Sequence, residues 1–201
     1  MRWRRGPAAA DDDAAVIESS WREPERFAVL FDRHAPHIHR YLARCAGRQV
    51  ADDLVAETFL AAFAKRDRYD LSHADARPWL YGIATNLVGQ HRREEARQYQ
   101  IRQAAAAEPE VPGHAGKVAA DVTAQAMRAL LDGALAGLSA GDRDVLLLIA
   151  WEQLTYQEVS RALAIPVGTV QSRLHRARTK VRQVLAGTGA AAAYEELTTN
   201  E

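Results

Sequence analysis

Apolar positions recur at spacings of three and four through most of this chain, and period-two alternation nowhere runs long enough to make a strand. Phe27, Leu30, Phe31, Ile38, Tyr41, Leu42 and Cys45 trace one helical stripe, with Pro36 expected to break or kink it and Gly47 to end it. Asp52 or Asp53 is expected to open the next helix, whose stripe is Leu54, Val55, Thr58, Phe59, Ala62 and Phe63. A loop follows over residues 69–76. Proline is welcome in a first helical turn, so Arg77-Pro78 predicts a long helix carrying Leu80, Ile83, Ala84, Leu87 and Val88 on one side.

The second patterned block is better punctuated. Ser139-x-x-Asp142 and Thr155-x-x-Glu158 each fit a capping box ahead of an apolar run. A short helix over residues 156–164 is followed by the turn Ile165-Pro166-Val167-Gly168, with Pro166 expected near the first helical position, and then by a longer helix to about residue 185. That arrangement is a helix-turn-helix candidate. Residues 104–126 contain Pro109, Pro112, Gly113 and Gly116 with hardly a large apolar residue, the texture of a linker. The predicted architecture is all-α: two small helical domains, 22–103 and 127–186, joined by a flexible linker over 104–126, with the helix-turn-helix in the second. Residues 1–21 are expected to form a mobile N-terminal tail and 187–201 a short C-terminal one.

Charge changes the picture only through its placement. The 201 residues hold 26 basic and 26 acidic side chains, a net charge of zero. Yet from Arg161 to Gln183 there are six Lys/Arg and no acid. A helix that is merely solvated on this face usually intersperses Glu for pairing one turn away, and this one omits it. A surface built to meet phosphate accounts for the omission. At 100° per residue, Val170, Leu174, Ala177, Val181, Val184 and Leu185 form the inward stripe. Gln171, Ser172, His175 and Arg176 lie near the N-terminal end, where a recognition helix reaches base edges, and Arg176 suits guanine O6/N7. Thr169, Arg173, Arg178, Lys180 and Arg182 are candidate phosphate contacts, which position without specifying.

The first block offers two further faces. His91, Arg92 and Arg93 follow a helix start that carries Trp79 and Tyr81, and aromatics beside basic residues either belong to the core or stack on unpaired bases. Asp52, Asp53 and Glu57 make the second predicted helix acidic on its polar side, either a solvated face or one that binds protein. Catalytic chemistry finds no foothold: there is no His-Glu-x-x-His, no Gly-x-Ser-x-Gly and no Walker loop. A lone Cys45 leaves no disulfide framework and no thiolate-rich zinc site, and His34, His37 and His39 do not share one helix face, so neither metal nor cofactor is expected. The longest apolar run, seven residues from Val145 to Trp151, is far short of the ~20 that span a bilayer. Asp11, Asp12 and Asp13 follow Arg2, Arg4 and Arg5 with no apolar segment between, unlike a secretory signal. The expectation is a cytoplasmic protein without membrane insertion.

Three groups of residues together resemble a known family. Phe27-x-x-Leu30-Phe31 with Tyr41-Leu42, the run Ala51-Asp52-Asp53-Leu54-Val55-Ala56-Glu57-Thr58-Phe59-Leu60, and Trp79-Leu80-Tyr81-Gly82-Ile83-Ala84-Thr85-Asn86 with Arg92-Arg93 resemble region 2 of the extracytoplasmic-function sigma factors. Leu138 through Arg143, Thr155-Tyr156-Gln157-Glu158-Val159 and above all Pro166 through Arg178 resemble region 4 of the same group. The resemblance implies an initiation factor without enzymatic chemistry of its own. Its region 2 docks on the clamp of the largest RNA polymerase subunit, melts DNA and captures the −10 element. Its region 4 sits on the flap of the second-largest subunit and reads the −35 element. Asp53, Glu57 and Thr58 would then face polymerase; the loop 69–76, with Tyr69, Trp79, Asn86, Arg92 and Arg93, would face the −10 strand. Gln171, Ser172, His175 and Arg176 would read −35 bases, and an anti-sigma factor is the expected inhibitory partner. A dimeric repressor with the same helix-turn-helix would need a receiver domain or a ligand pocket, and residues 22–103 show the pattern of neither. A 23-residue linker reaches ~75–80 Å at ~3.3–3.6 Å per residue, enough for two elements some 20–25 bp apart, which span roughly 70–85 Å.

Overall fold

The computed structural model describes residues 12–105 and 130–186. The rest of the predicted linker and the C-terminal tail lie outside the described residues, as do the first eleven. Eight helices are described: α1 (Asp13–Ser19), α2 (Ala28–Ala46), α3 (Arg48–Ala64), α4 (Arg77–Ala105), α5 (residues 130–136 in its described part), α6 (Ala140–Ala150), α7 (Tyr156–Leu163) and α8 (Val167–Ala186). Short 3-10 turns at Pro24–Phe27 and Arg66–Arg68 complete them, and no strand occurs among the described residues.

Contacts divide the chain into two compact units. One comprises residues up to Arg93 and takes in Gln157–Ala164, most of α7; the other holds the remainder, including α5, α6 and α8.

In the first unit α2 and α3 pack lengthwise on each other. Gly47, at φ 88°, turns the chain between them in a single residue, a conformation that glycine adopts without the Cβ penalty. Because that corner is so tight, α3 starts at Arg48 rather than at the expected Asp52 or Asp53. Pro36 does not interrupt α2: Leu30 and His34 before it and Ile38, Tyr41 and Leu42 after it are all buried, so packing holds the helix together across the missing amide. Edge-on aromatic pairs tie the layers, Phe31 to Phe59 at 4.9 Å and Tyr41 to Tyr81 at 5.3 Å between centroids. The Tyr41 and Thr85 hydroxyls share a 2.8 Å hydrogen bond in this core.

The structure corrects the expectation of a mobile tail through residue 21. Residues 13–19 form α1, with Val16 and Ile17 only 2% and 0% exposed. Asp12 caps it by accepting the Ala15 amide at 2.8 Å. A helix of two turns carries too few apolar positions to show a period; its stability comes from tertiary burial, which sequence patterning does not register.

In the second unit α6 lies against α8. Ala134 and Leu138 meet Ala177, Val181 and Leu185 in a small core that Leu130, Leu131, Leu135 and Leu146 border. Arg143 locks the end of α5, donating to the carbonyls of Leu135, Ala136 and Leu138 at 2.8, 3.0 and 3.3 Å. The turn before α8 places Ala164 at φ 51°. Pro166 stands outside α8 rather than inside its first turn, and its carbonyl accepts the Thr169 and Val170 amides at 2.8 and 3.1 Å.

Candidate nucleic-acid interface

The inward stripe of α8 is Val170, Leu174, Ala177, Val181 and Leu185, all buried; Val184, expected with them, is 38% exposed. Gln171, Ser172, His175, Arg176 and Arg182 are exposed, while Thr169, Arg173 and Arg178 are half-buried. The polar arc is therefore not uniform. One flank closes on the turn that leads into α6. Lys180 donates to the Gly137 carbonyl, and Arg173 lies so close to Gly141 that a Cβ there would come within 2.7 Å of its guanidinium. Both cations, expected at phosphates, thus have protein neighbours in this structure.

Arg176 is the informative member of that flank. Its Nη2 donates to Asp142 Oδ1 at 2.9 Å, with Nε near Oδ2 at 3.4 Å. Asp142 is the acid of the expected capping box, and only half of that box forms: Ser139 Oγ accepts the Asp142 amide at 3.2 Å, but the carboxylate turns to Arg176. Burial opposes ionisation of Asp142, and the contacts with Arg176 and Ser139 outweigh it, holding the carboxyl below its ordinary range. The pair engages the side edge of the guanidinium. Nη1 takes no part in this pair, and the side chain as a whole is exposed.

In the first unit the sequence candidates separate into exposed and structural groups. Asn86 and Arg93 are exposed on α4 and, at seven residues apart, share a face with half-buried Trp79. Trp79 packs on Tyr69 with ring centroids 5.0 Å apart. Tyr69, expected at DNA, is buried instead: its hydroxyl donates to the His73 and Asp75 carbonyls at 2.7 and 3.2 Å, which braces the loop 69–76. Burial and the nearby Asp13 and Asp75 carboxylates push the Tyr69 phenol up, so it stays a donor. Arg92 donates to the Cys45 carbonyl at 2.8 Å and so closes the end of α2. These two residues shape the site rather than line it.

The acidic face of α3 holds in part. Asp53 and Glu57 are exposed. Thr58, expected beside them, is buried and donates to the Leu54 carbonyl at 2.6 Å. The structure therefore removes Thr58 from that face, since a hydroxyl satisfied inside its own helix has nothing to offer a partner. Leu60 takes its place: it is 69% exposed and lies one turn beyond Glu57 and two beyond Asp53. Sequence patterning passed over Leu60 because a lone exposed leucine is ordinary; its setting among carboxylates is what singles it out.

Residues 30–98 match the family Sigma-70 region 2, and residues 128–181 match Sigma-70, region 4. The ECF RNA polymerase sigma factor SigL of Mycobacterium tuberculosis is 30% identical over 86% of this chain and 96% of its own length. The chain is a sigma factor of the extracytoplasmic-function family. The sigma factor SigE of Mycolicibacterium smegmatis is 32% identical over 89% of this chain, a match that spans 65% of the SigE length. Among solved structures, the sigma factor RpoE of Bartonella quintana, in complex with the anti-sigma factor NepR, shares the fold at a TM-score of 0.60 and 24% identity, over 80% of this chain and 96% of that one. The sigma factor described here directs promoter-specific transcription initiation and is not an enzyme. Among its described residues no helix is long and apolar enough to cross a membrane.

Proposed function

We propose that this sigma factor reads the −35 element with α8 and the −10 element with the α4 side of its first unit, while α3 meets core polymerase. The boundaries proposed for its two functional regions are 22–103 and 127–186, with the linker between them. The observation that carries the reading is the acid-free polar face of α8, along which Gln171, Ser172, His175 and Arg176 are exposed. Arg176 contacts a guanine; Gln171, Ser172 and His175, exposed beside it, contact neighbouring bases. Thr169, Arg178 and Arg182 hold phosphates, joined by Arg173 and Lys180 when they leave their protein neighbours. Trp79, Asn86 and Arg93 face the −10 strand, where Trp79 offers a stacking surface and Arg93 a charge.

On the protein side, Asp53 and Glu57, with Leu60 one turn beyond Glu57, fit a basic, partly apolar surface on the clamp of the largest subunit. Region 4 rests on the flap of the second-largest subunit. The RpoE relative was solved with an anti-sigma factor, and the same class of partner is proposed for this chain. A cytoplasmic location is proposed together with these partners. Runoff transcription with purified core polymerase and a randomised promoter pool tests the reading. Enrichment of a two-part motif with a fixed spacing is expected; unselective transcripts, or none above core enzyme alone, would overturn it.

A further inference from the structure

The first unit contains a charged cluster that none of the contacts above uses, and it sits where α1 meets the end of the loop 69–76. Asp13 is 6% exposed. Its carboxylate accepts Arg33 Nη1 at 2.9 Å, His34 Nε2 at 2.7 Å and the Ala76 amide at 3.0 Å. Its own amide donates to the Ala74 carbonyl at 3.0 Å. One residue of α1 thereby grips both the incoming and the outgoing backbone of the loop end and ties it to α2. The opposite end is braced by the Tyr69 hydroxyl, and Asp75 accepts the Arg77 amide at 2.8 Å where α4 begins. The loop tip between these anchors, including Asp70 and Ser72, is exposed.

Burying a carboxylate is costly unless it is fully hydrogen-bonded, and a helix of seven residues has little stability of its own. Two of the donors to this carboxylate, Arg33 and His34, tie α1 to α2 and serve the core; the Ala76 amide and the Ala74 carbonyl, gripped by the same residue, hold the loop in one shape. We infer that α1 is a clamp for the loop 69–76, with Asp13 as a positioning residue for −10 recognition. The inference rests on the proposed reading that this loop faces the −10 strand. A loop held at both ends presents its tip without an ordering cost when DNA arrives; a loosened one binds several sequences with similar, weaker affinity.

The test uses the full chain with core polymerase. Asp13→Ala is expected to lower discrimination between preferred and altered −10 sequences about tenfold, with −35 discrimination and core binding unchanged. Asp13→Asn, whose single neutral oxygen is a weaker acceptor for the Ala76 amide, is expected to lose about threefold. Arg33→Ala removes a partner of the same carboxylate without touching the loop, so it should lower thermal stability and leave −10 discrimination intact. Should Asp13→Ala fail to fold, hydrogen exchange at the Ala76 amide decides, with faster exchange expected in Asp13→Asn than in Arg33→Ala. Unchanged −10 discrimination in Asp13→Ala, a matching loss in Arg33→Ala, or equal exchange in the last comparison overturns the clamp. A loop variant, Ser72→Ala with His73→Ala, separates the two levels. If it shifts −10 preference while Asp13→Ala does not, only the clamp fails; if neither shifts it, the −10 reading of the loop fails as well.

Discussion

At Asp13 three donors converge on one carboxylate, and the pH dependence of stability should record them. Burial pushes this carboxyl up; the hydrogen bonds from His34, the Ala76 amide and Arg33, with the attraction of His34, outweigh it and hold it at about 2 against an ordinary 3.8. A depressed folded-state value stabilises the protein above the unfolded one, by about 2 kcal/mol at neutral pH. That contribution is lost as pH falls from about 4 through about 2. The urea-unfolding difference between the native chain and Asp13→Asn should therefore shrink as pH falls from about 4 through about 2. Arg176 and Asp142 give a second residue-scale prediction. Arg176→Ala should cost ~1–3 kcal/mol of −35 discrimination at a single base position. Asp142→Ala should relax the same position by less, because the fork survives but loses its orientation. Added to Arg176→Ala it should do little more. Selected −35 sequences from a double-mutant cycle measure this; independent effects of the two changes would show that Asp142 plays no part in reading.

Among the elements, α3 separates its duties most cleanly. Ala51, Leu54, Val55, Thr58, Phe59 and Ala62 are buried along one side, and Asp53, Glu57 and Leu60 are exposed on the other. Charge reversal on the exposed side, Asp53→Arg with Glu57→Lys, should abolish co-purification with core polymerase. Helix content and thermal unfolding should stay nearly unchanged, since exposed substitutions away from special features move stability by no more than ~0.5 kcal/mol. Normal assembly of that variant would leave the acidic face merely solvated. The long helix α4 divides its work along its length: Leu80, Tyr81, Ala84, Thr85 and Val88 are buried in the first half, and residues 93–103 are exposed.

For the molecule as a whole, zero net charge means that long-range attraction to DNA is weak. The basic residues that could meet phosphate are concentrated on α8, and some of those have protein neighbours. Promoter affinity must then come from combining two modest interfaces, and a shared platform raises the effective concentration of each for its element. Gel shifts should accordingly show weak binding by the isolated protein and tight, sequence-specific binding with core polymerase. Stable specific binding by the protein alone, as a dimer and indifferent to core enzyme, would point to a repressor instead.

The amino-acid sequence by itself determined the helical class, the end of α2 at Gly47, most of the inward stripe of α8 and the segregation of its basic face. Each rests on a local rule: apolar period, glycine as a helix stop, or the absence of acids from one stretch of helix. Tertiary structure decided what local rules do not reach. It made a helix of residues 13–19, because burial of Val16 and Ile17 and the grip of Asp13 on a loop sixty residues away supply what a short segment lacks. It carried α2 through Pro36, since packing on both sides outweighs one lost hydrogen bond. It turned Thr58, Tyr69 and Arg92 from expected contacts into supports, because their polar groups find partners inside the fold. And it shared the Asp142 carboxylate with Arg176, a residue thirty-four positions away. Sequence spacing tells which side chains share a face; only the packed chain settles which of their hydrogen bonds are already taken.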